Sequence, residues 1–518
     1  MTHGLAHELP AIGDMIVNFV ERYPARIAFV EDDGQELTYA MLGSHIKAAI
    51  ARLEELGLKP GDSVVQIGSN CSKVFALVAA CYMAGYRSVS LHAASSLEDH
   101  VYITQDCGAV IVVATDEYTQ RARAIANVVP GLRLFDHAPE SALPCFWTPG
   151  PPDRTLALKS SARPDAVVRI AYTGGTTGRS KGVMATSGSI AINVMTRMAG
   201  NDWSGLRFLA AAPISHGVGS MIIPIFWHGG TVVLHRGFNA GRVLAEIERR
   251  NINSLFTVPT MLYALLDYPR TGQLDCSHMK MLMYGGAPVS PSRIKEALAL
   301  FGPILEQHYG QTEMPSVILG LTKDDHLDDS LLTSAGKPYP GITARLLDDD
   351  DREVLRGELG EICARGPMAM SGYLNQEALT LETMRNGWVH TGDIAYQDER
   401  GYFHIVDRKK DMIITGGFNV YPKAIENALA THPAVMSAAV IGIPDPKWGE
   451  AVMALVVLRS SEQVSEAELI AHVKNLQGSV GAPKRIEFVD ELPLTAVGKF
   501  DKKAMRAPYW QDKGRNVH

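Results

Sequence analysis

The chain has 518 residues, of which 46% are apolar and 20% are charged, and its formal net charge is −7. This length predicts at least two domains, and this composition is that of a globular protein with a large core. The acidic balance provides no basic surface, so binding of nucleic acid is not expected.

The cysteines and the N-terminal residues predict a cytoplasmic protein. The six cysteines are scattered without a Cys-x-x-Cys pair, which argues against a zinc site or a disulfide framework and favours a reducing compartment. The N-terminal residues MTHGLAHELP lack the basic and apolar regions of a signal peptide. The longest apolar run, 74–86, is shorter than the ~20 residues that a membrane span needs. We expect it to form a buried helix instead.

The pattern of apolar residues in the first 400 residues is mixed α/β. Helical periodicity predicts helices at 39–56, 187–198, 240–250 and 293–300. Short β-branched or apolar runs predict strands at 63–67, 109–114, 166–171, 231–234 and 254–258. This alternation predicts largely parallel sheets that are covered by helices on both faces.

The pattern changes near residue 408. Downstream we predict a strand at 412–415, a helix that begins at Pro422, strands at 435–443 and 451–458, and a helix at 466–477. About one hundred residues of this kind form a small α+β domain. We therefore predict an N-terminal domain at 1–408 and a C-terminal domain at 409–518, joined by the charged link DRKK (407–410). Potential ligand groups at such a boundary suggest a cleft whose halves move.

A glycine-rich stretch, YTGGTTGRSKG (172–182), is typical of a phosphate-binding loop. Glycine lets the backbone approach a ligand closely, successive N–H groups can surround anionic oxygens, and the hydroxyls and two cations add donors. A strand leads into the loop and a helix is predicted shortly after it. The spacing fits neither the P-loop pattern nor the dinucleotide pattern GxGxxG, so kinase and dehydrogenase functions lose their main support.

The loop resembles the signature of the adenylate-forming superfamily, which contains acyl-CoA synthetases, luciferases and peptide-synthetase adenylation domains. Further stretches resemble its motifs in the expected order, over roughly residues 15–507: LTYAML (37–42), LKPGDSVV (58–65), MYGGAPVS (283–290), HYGQTEMP (308–315), GELGEICARGPMAMSGYLN (357–375), WVHTGD (388–393), DRKKDMIITGGFNVYP (407–422) and LPLTAVGKFDKKAMR (492–506). The resemblance implies a large N-terminal α/β domain of stacked mixed sheets flanked by helices, and a small mobile α+β C-terminal domain.

The resemblance also implies which residues bind ATP. The phosphates are expected on the loop residues Thr173, Gly174, Gly175, Thr176, Thr177, Gly178 and Lys181. Tyr309 offers a flat ring for the adenine, next to Gly310. A bare backbone turn for the adenine or the acyl chain is expected at Gly285, Gly286 and Ala287.

Polar groups of the same motifs are expected around the reacting phosphate and the ribose. Glu313 would bind Mg²⁺, and the Thr312 hydroxyl would lie near the α-phosphate. Asp393 suits the two ribose hydroxyls as an acceptor, and Arg408 can donate to the same ribose.

Two lysines have roles that only the resemblance implies. Lys499 would reach the substrate carboxylate and the α-phosphate, where a flexible positive charge lowers the repulsion between two anions. Lys410 occupies the family's hinge position, where backbone rotation moves the small domain between two active conformations. The implied chemistry is formation of an acyl-adenylate with release of pyrophosphate, followed by transfer of the acyl group with release of AMP.

The acid is expected to be an apolar carboxylic acid. Its pocket is predicted around PISHGVGS (213–220), MYGG (283–286) and the residues after Glu313, with His216 beside the acyl group. No Asp lies in the stretch where amino-acid-activating relatives carry one for the substrate ammonium. The neighbouring apolar residues are Val218, Met221, Ile222, Met314, Val317 and Ile318.

Coenzyme A is the expected acceptor, with two alternatives left open. The turn at Gly416 and Gly417 is expected near the pantetheine arm, and Trp448 on the same side. Related CoA ligases, however, carry an aromatic-Lys-x-Pro-Lys segment, whereas this chain has VGAPKR at 480–485. Lys484 and Arg485 remain available for the CoA phosphates. Transfer to an amine, or to a carrier-protein thiol, therefore stays possible, and the oligomeric state is not predicted.

Two further functions are less well supported by the sequence. A non-catalytic nucleotide sensor on the same fold would not need Lys499, Glu313 and Asp393 together. Luciferase-type oxidation has no separate signal in the chain.

Overall fold

The structure is a computed structural model that describes residues 9–147, 157–173, 179–269, 274–315, 317–459, 462–494 and 500–510. The chain divides into two compact units. The first contains Met1–Leu332, Gly336–Thr343 and Ala364–Val389, and the second contains Thr333–Ala335, Ala344–Cys363 and His390–His518. The predicted domain boundary at residue 408 lies inside the second unit and stays a prediction.

The helices of the described residues are α1 (Ile12–Arg22), α2 (Tyr39–Glu55), α3 (Ser72–Ala84), α4 (Leu97–Asp106), α5 (Thr119–Ala126), α6 (Ser187–Gly200), α7 (Gly219–Trp227), α8 (Ala240–Arg249), α9 (Pro259–Leu266), α10 (Pro291–Phe301), α11 (Glu377–Thr383), α12 (Pro422–Ala430), α13 (Glu466–Gly481) and α14 (Lys502–Arg506). Across the described part of the chain, none of them combines the length and the apolar character that a membrane crossing requires.

The strands in the first half of the chain are β1 (Ile27–Val30), β2 (Glu36–Thr38), β3 (Ser63–Ile67), β4 (Arg87–Ser90), β5 (Ala109–Ala114), β6 (Arg133–Asp136), β7 (Val167–Thr173), β8 (Lys181–Thr186), β9 (Arg207–Ala210), β10 (Thr231–Leu234) and β11 (Ser254–Thr257). Those that follow are β12 (Met281–Gly285), β13 (Leu305–Tyr309), β14 (Leu319–Leu321), β15 (Lys337–Pro338), β16 (Thr343–Leu347), β17 (Gly360–Arg365), β18 (Gly372–Tyr373), β19 (Met384–Arg385), β20 (Trp388–Gln397), β21 (Phe403–Arg408), β22 (Ile413–Thr415), β23 (Phe418–Val420), β24 (Val435–Asp445), β25 (Gly449–Leu458) and β26 (Arg485–Phe488).

The first unit contains two large mixed sheets. One has the order β15-β14-β13-β12-β11-β9-β10-β1-β2, with parallel pairing from β13 to β1 and antiparallel strands at both ends. The other has the order β18-β8-β7-β4-β3-β5-β6, parallel from β7 to β6 and antiparallel at β8 and β18. This arrangement confirms the predicted α/β class with stacked mixed sheets.

A layer of helices joins these two sheets through one apolar cluster. The cluster combines strand residues of both sheets, such as Phe29 and Val64, with residues of α1, α2, α3, α6 and α7. The helix α3 is buried along most of its length, as predicted for the apolar run at 74–86. Burial on all sides explains why its sequence shows almost no polar face.

The second unit contains two smaller sheets. In the first, β17 lies between β16 and β20, and β21 pairs antiparallel with β20. In the second, the order is β23-β22-β25-β24, with β26 parallel to β25. Helices α12 and α13 pack on this sheet through a cluster that includes Ile425, Val440 and Leu469. The predicted helix at Pro422 and the strands near 435 and 451 are confirmed.

One predicted connection is wrong. The glycine-rich loop leads from β7 into another strand, β8, and α6 begins only at Ser187. The run KGVMAT pairs antiparallel with β7, and a capping box between Thr186 and Ser189 sets the start of the helix. The loop therefore connects two antiparallel strands and does not lie at a helix N-terminus.

Candidate active site

The glycine-rich loop is held at both ends. Thr173 and Lys181 are directly paired in the ladder of β7 and β8, so the loop leaves and re-enters the sheet at neighbouring positions. Residues Gly174, Gly175, Thr176, Thr177 and Gly178, predicted to bind phosphate, lie outside the described residues. This pairing fixes the positions of the Thr173 and Lys181 backbones at the two ends of the loop.

Helix α4 braces the loop from one side. The Ser180 hydroxyl donates to Asp99 Oδ1 at 2.6 Å, and the Arg179 guanidinium stacks on the Tyr102 ring at 5.2 Å from its centroid. On the preceding strand the Tyr172 hydroxyl donates to Asp106 Oδ2 at 2.6 Å. The two residues that precede Lys181 therefore both contact α4 through their side chains.

Glu313, predicted to bind metal, lies beside the same loop. Its Oε1 accepts a hydrogen bond from the Tyr373 hydroxyl at 2.8 Å, and the Lys181 Nζ lies 5.5 Å from the centroid of that ring. The backbone carbonyl of Glu313 accepts from the Met370 N–H at 2.9 Å. Glu313 therefore contacts the hydroxyl of Tyr373, and Lys181 lies over its ring. The sequence did not identify this buried tyrosine.

The residues predicted on the adenine side lie at the carboxyl ends of two neighbouring parallel strands. Gly285 ends β12 and Tyr309 ends β13, and Gly285 is paired with His308. A Cβ atom on Gly285 would clash with the His308 carbonyl oxygen, and Gly286 has a φ of +85°. Ligands of α/β sheets bind at such strand ends. Ala287, Gly310 and Thr312 follow in the adjoining turns and are half-buried.

His216, predicted beside the acyl group, lies in the turn before α7. Its Nδ1 is 2.8 Å from the Ser215 hydroxyl, and its ring meets the His92 ring edge-on with centroids 4.6 Å apart. Burial, with the nearby His92 and Arg169, lowers the pKa of His216 to about 3. The imidazole is therefore uncharged at neutral pH.

A buried asparagine that the sequence did not predict holds the segment leading into this turn. Asn70 Nδ2 donates to the carbonyls of Ala210, Ala212 and His235, and its Oδ1 accepts from the Ile214 N–H at 2.8 Å. These groups lie more than one hundred residues away along the chain, so no local pattern identifies them. Asn70 fixes the backbone from which His216 projects.

The apolar residues predicted near the acid are all buried. Three of them, Val218, Met221 and Ile222, belong to the cluster between the two sheets. Met314, Val317 and Ile318 are at most 2% exposed. Their burial identifies them as core side chains, and their contact with the acid stays a prediction.

In the second unit, the two residues predicted to bind the ribose are in contact with each other. Asp393 and Arg408 are paired across β20 and β21, and Arg408 Nε lies 3.0 Å from Asp393 Oδ1. The Asp393 residue is 3% exposed, so its carboxylate is held by a charge-assisted contact in a largely dry position.

A buried cluster of Glu361, Cys363 and His390 supports the turn before Asp393. Glu361 Oε1 accepts from the Gly392 N–H at 2.8 Å, while His390 Nδ1 lies 3.3 Å from Glu361 Oε2 and 3.2 Å from Cys363 Sγ. Burial favours the neutral acid, but hydrogen bonds from His390 and Gly392 hold the pKa of Glu361 below its ordinary value. The three donor types suit a metal ion, but Lys409 Nζ, 3.9 Å from Glu361 Oε2, already supplies a cation there.

The remaining predicted residues of this unit lie in turns. Lys410 belongs to the short helical turn Lys409–Asp411 that follows β21. Gly416 and Gly417 have φ angles of +59° and +83° between β22 and β23. The Gly416 N–H donates to the Trp448 carbonyl at 2.8 Å, so Trp448 lies beside this turn as expected. Lys499 lies outside the described residues.

Two family models match most of the chain. The model of the AMP-binding enzyme family matches residues 17–374, and that of the AMP-binding enzyme C-terminal domain matches residues 424–499. The chain belongs to the AMP-binding enzyme family. This assignment confirms the predicted adenylate-forming superfamily.

The relatives of this AMP-binding enzyme include acyl-CoA ligases, a fatty acid–acyl-carrier-protein ligase and an amide bond synthetase. It is 40% identical to the medium/long-chain-fatty-acid–CoA ligase FadD8 of Mycobacterium tuberculosis, over 98% of this chain and 91% of the relative. It is 36% identical to a feruloyl-CoA synthase of Amycolatopsis, over 92% and 95% of the two chains. The solved structure of amide bond synthetase McbA from Marinactinospora thermotolerans matches with a TM-score of 0.90 and 32% identity, covering 96% of this chain and all of that one.

Proposed function

We propose that this enzyme uses ATP to activate an apolar carboxylic acid and then transfers the acyl group to coenzyme A. In the first step a carboxylate oxygen attacks the α-phosphorus of ATP, and the bond to the bridging oxygen breaks with release of pyrophosphate. In the second step the CoA sulfur attacks the acyl carbon, its proton passes to solvent, and AMP leaves. The observation that carries the proposal is the placement of Lys181 and Glu313 around Tyr373 at the glycine-rich loop.

The Glu313 side chain fits a magnesium ion that accompanies ATP. Mg²⁺ is bound in proteins by one or two carboxylate oxygens together with substrate phosphates. Among the described contacts of Glu313, Oε1 accepts from Tyr373, and we propose Oε2 as the oxygen that binds the cation. When bound, the ion neutralises phosphate charge as pyrophosphate leaves.

The other site residues keep the roles that their chemistry suggests. We propose that Lys181 and the loop hold the outer phosphates, that Tyr309 and the turn at Gly285–Ala287 contact the adenine, and that Asp393 and Arg408 bind the ribose. Thr312 and Lys499 act at the α-phosphate and the carboxylate. The reaction is expected in the cytoplasm.

The acid is proposed to be apolar, with a chain or an aromatic ring. His216 is uncharged at neutral pH, and the predicted neighbours Val218 and Met221 are apolar. The names of the two curated relatives describe fatty acids and a hydroxycinnamic acid. Both kinds of acid combine one carboxylate with a large apolar part.

An amine acceptor is the second candidate. The segment VGAPKR (480–485) lacks the aromatic residue and the first lysine of the expected CoA-binding pattern. An amide bond synthetase is also among the similar solved structures. Loading of a carrier-protein thiol would be chemically equivalent to the CoA reaction.

The test offers fatty and aromatic acids with ATP and Mg²⁺, and then adds CoA, amines or a carrier protein in parallel. Pyrophosphate release that depends on the acid supports adenylation, and mass spectrometry of the products identifies the acceptor. A nucleotide sensor would release no pyrophosphate with any acid.

The lysine of the C-terminal motif separates the two half-reactions. Lys499→Ala is expected to lower pyrophosphate release at least ~100-fold, because a preorganised charge at the reacting phosphate is lost. Transfer from supplied acyl-adenylate should stay close to the wild-type rate. Equal loss of both steps would contradict this role, and Lys503→Ala, four residues downstream, serves as the control.

A further inference from the structure

In the first unit, the two-residue strand β18 contacts both Glu313 and the strand that follows the glycine-rich loop. Strand β18 pairs antiparallel with β8, the strand that begins at Lys181, with Gly372 opposite Met184 and Tyr373 opposite Val183. Hydrogen bonds from the Ser371 and Leu374 N–H groups to Met184 and Gly182 extend this pairing on both sides. The position of Tyr373 relative to the glycine-rich loop is therefore set by backbone hydrogen bonds.

The same short segment holds Glu313 by both its backbone and its side chain. Met370 N–H donates to the Glu313 carbonyl at 2.9 Å, and the Tyr373 hydroxyl donates to Glu313 Oε1 at 2.8 Å. These two contacts hold both the backbone and the carboxylate of Glu313. Glu313 follows β13 of the nine-stranded sheet, whereas β18 belongs to the seven-stranded sheet, so this contact links the two sheets at the site.

Tyr373 is itself rigid. It is 6% exposed, its N–H donates to Thr380 Oγ1 at 2.9 Å, and its ring lies below the Lys181 ammonium group. The Tyr373 hydroxyl carries one proton, which it donates to Glu313 Oε1 at 2.8 Å. A donor that points at one carboxylate oxygen selects a single orientation of the carboxylate.

We infer that Tyr373 is a positioning residue that orients the Glu313 carboxylate for the metal–ATP complex and aligns it with Lys181 of the loop. The inference rests on the proposed function, because Glu313 is taken to bind the metal. Because the hydroxyl holds Oε1, the Glu313 side chain loses less conformational freedom when Oε2 binds the cation. Tyr373 acts through Glu313 and does not itself touch the nucleotide.

The test measures metal binding directly. Mn²⁺ replaces Mg²⁺, the non-hydrolysable α,β-methylene analogue replaces ATP, and the Mn²⁺ dissociation constant is obtained by electron paramagnetic resonance. Tyr373→Phe keeps the ring and removes only the donor, and we expect the dissociation constant to rise about tenfold, the effect of one hydrogen bond to a charged group. In the Glu313→Gln background, the added Tyr373→Phe change should have almost no further effect.

The control is Tyr509→Phe. Tyr509 also donates to a glutamate, Glu487 Oε2, at 3.0 Å, but it lies in the second unit outside the predicted site. This variant should bind Mn²⁺ as the wild type does. A second measurement is the rise in the unfolding midpoint when Mn²⁺ and the analogue are added. Each variant is compared with its own ligand-free midpoint, so a general loss of stability does not affect the result.

Each result decides for or against the inference. Unchanged Mn²⁺ binding in Tyr373→Phe, or full additivity with Glu313→Gln, would overturn it. A wild-type protein that binds no Mn²⁺ with the analogue and releases no pyrophosphate would instead overturn the proposed function. A purely structural tyrosine would lower the ligand-free midpoint and leave the ligand-induced shift unchanged.

Discussion

At the scale of single residues, His216 shows how burial sets the chemistry of the predicted acyl site. Its ring packs against His92, and both this neighbour and Arg169 disfavour a second positive charge. The ordinary pKa of histidine is ~6.5, so below this pH the unfolded chain binds a proton at His216. Because the pKa is lowered in the folded protein, the folded protein does not bind this proton. Stability from this group is therefore complete above that pH and is lost as the pH falls towards about 3.

Replacing this histidine should reduce acid sensitivity. His216→Asn keeps a polar partner for Ser215. We expect the free energy of unfolding of this variant, minus that of the wild type, to be up to about 2 kcal/mol more favourable at pH 5 than at pH 7.5. The measurement is urea denaturation of wild type and variant at both pH values. An equal difference between the two proteins at pH 5 and pH 7.5 would contradict a neutral, buried His216.

At the scale of secondary-structure elements, local patterns predicted more of the fold than of the site. The strands at 63–67, 109–114 and 231–234 agree with the structure because each is a compact apolar run between turns. Strand β8 was missed because KGVMAT has no clear alternation, and its pairing with β7 across the loop supplies what the sequence lacks. Tertiary pairing overrides weak local preference in such cases.

The supporting residues of the site were missed for a related reason. Tyr373 meets Glu313 across 60 positions of the chain, and Asn70 meets Ile214 across 144. A motif identifies the group that performs chemistry, since its residue type is restricted. The partner that holds the group can be any donor at the right place in space, and a single sequence does not indicate it.

The brace between α4 and the glycine-rich loop gives a prediction at this scale. Ser180→Ala removes the hydrogen bond to Asp99 and should raise the KM for ATP about 3- to 10-fold, because one hydrogen bond contributes about 0.5–1.5 kcal/mol to holding the loop. The KM for the acid should change little. Initial rates of pyrophosphate release measure both constants.

Ser277→Ala is the matched control for this brace. Ser277 also donates to an aspartate at 2.6 Å, but in an exposed turn at Asp275. It should leave both constants unchanged. A Ser180→Ala enzyme with the wild-type KM for ATP would show that α4 does not support nucleotide binding.

At the scale of the whole molecule, the predicted chemistry divides between the two units. Lys181, Glu313, Tyr309 and His216 belong to the first, which carries the groups proposed for phosphate, metal, adenine and acid. Asp393, Arg408, Lys410 and Lys499 belong to the second. In the proposed reaction the acid carboxylate is the nucleophile of the first step and the acceptor is that of the second. Lys499 is needed only in the first step, so the hinge predicted from the family resemblance would move it between the two steps.

Lys410→Pro tests this hinge. Lys410 lies in the helical turn directly after β21, and proline fixes φ near −65° and removes the backbone donor. If backbone rotation at this residue is needed only for the second step, acyl-adenylate formation should stay within about twofold of wild type while acyl transfer falls at least ~100-fold, as for a gating motion that limits one step. Single-turnover pyrophosphate release measures the first step, and transfer from supplied acyl-adenylate measures the second.

Lys410→Ala removes the same charge but keeps backbone freedom, so it should retain both steps. If Lys410→Ala loses the second step as well, the side chain and not the rotation is responsible, and unimpaired transfer in Lys410→Pro would exclude Lys410 as the hinge.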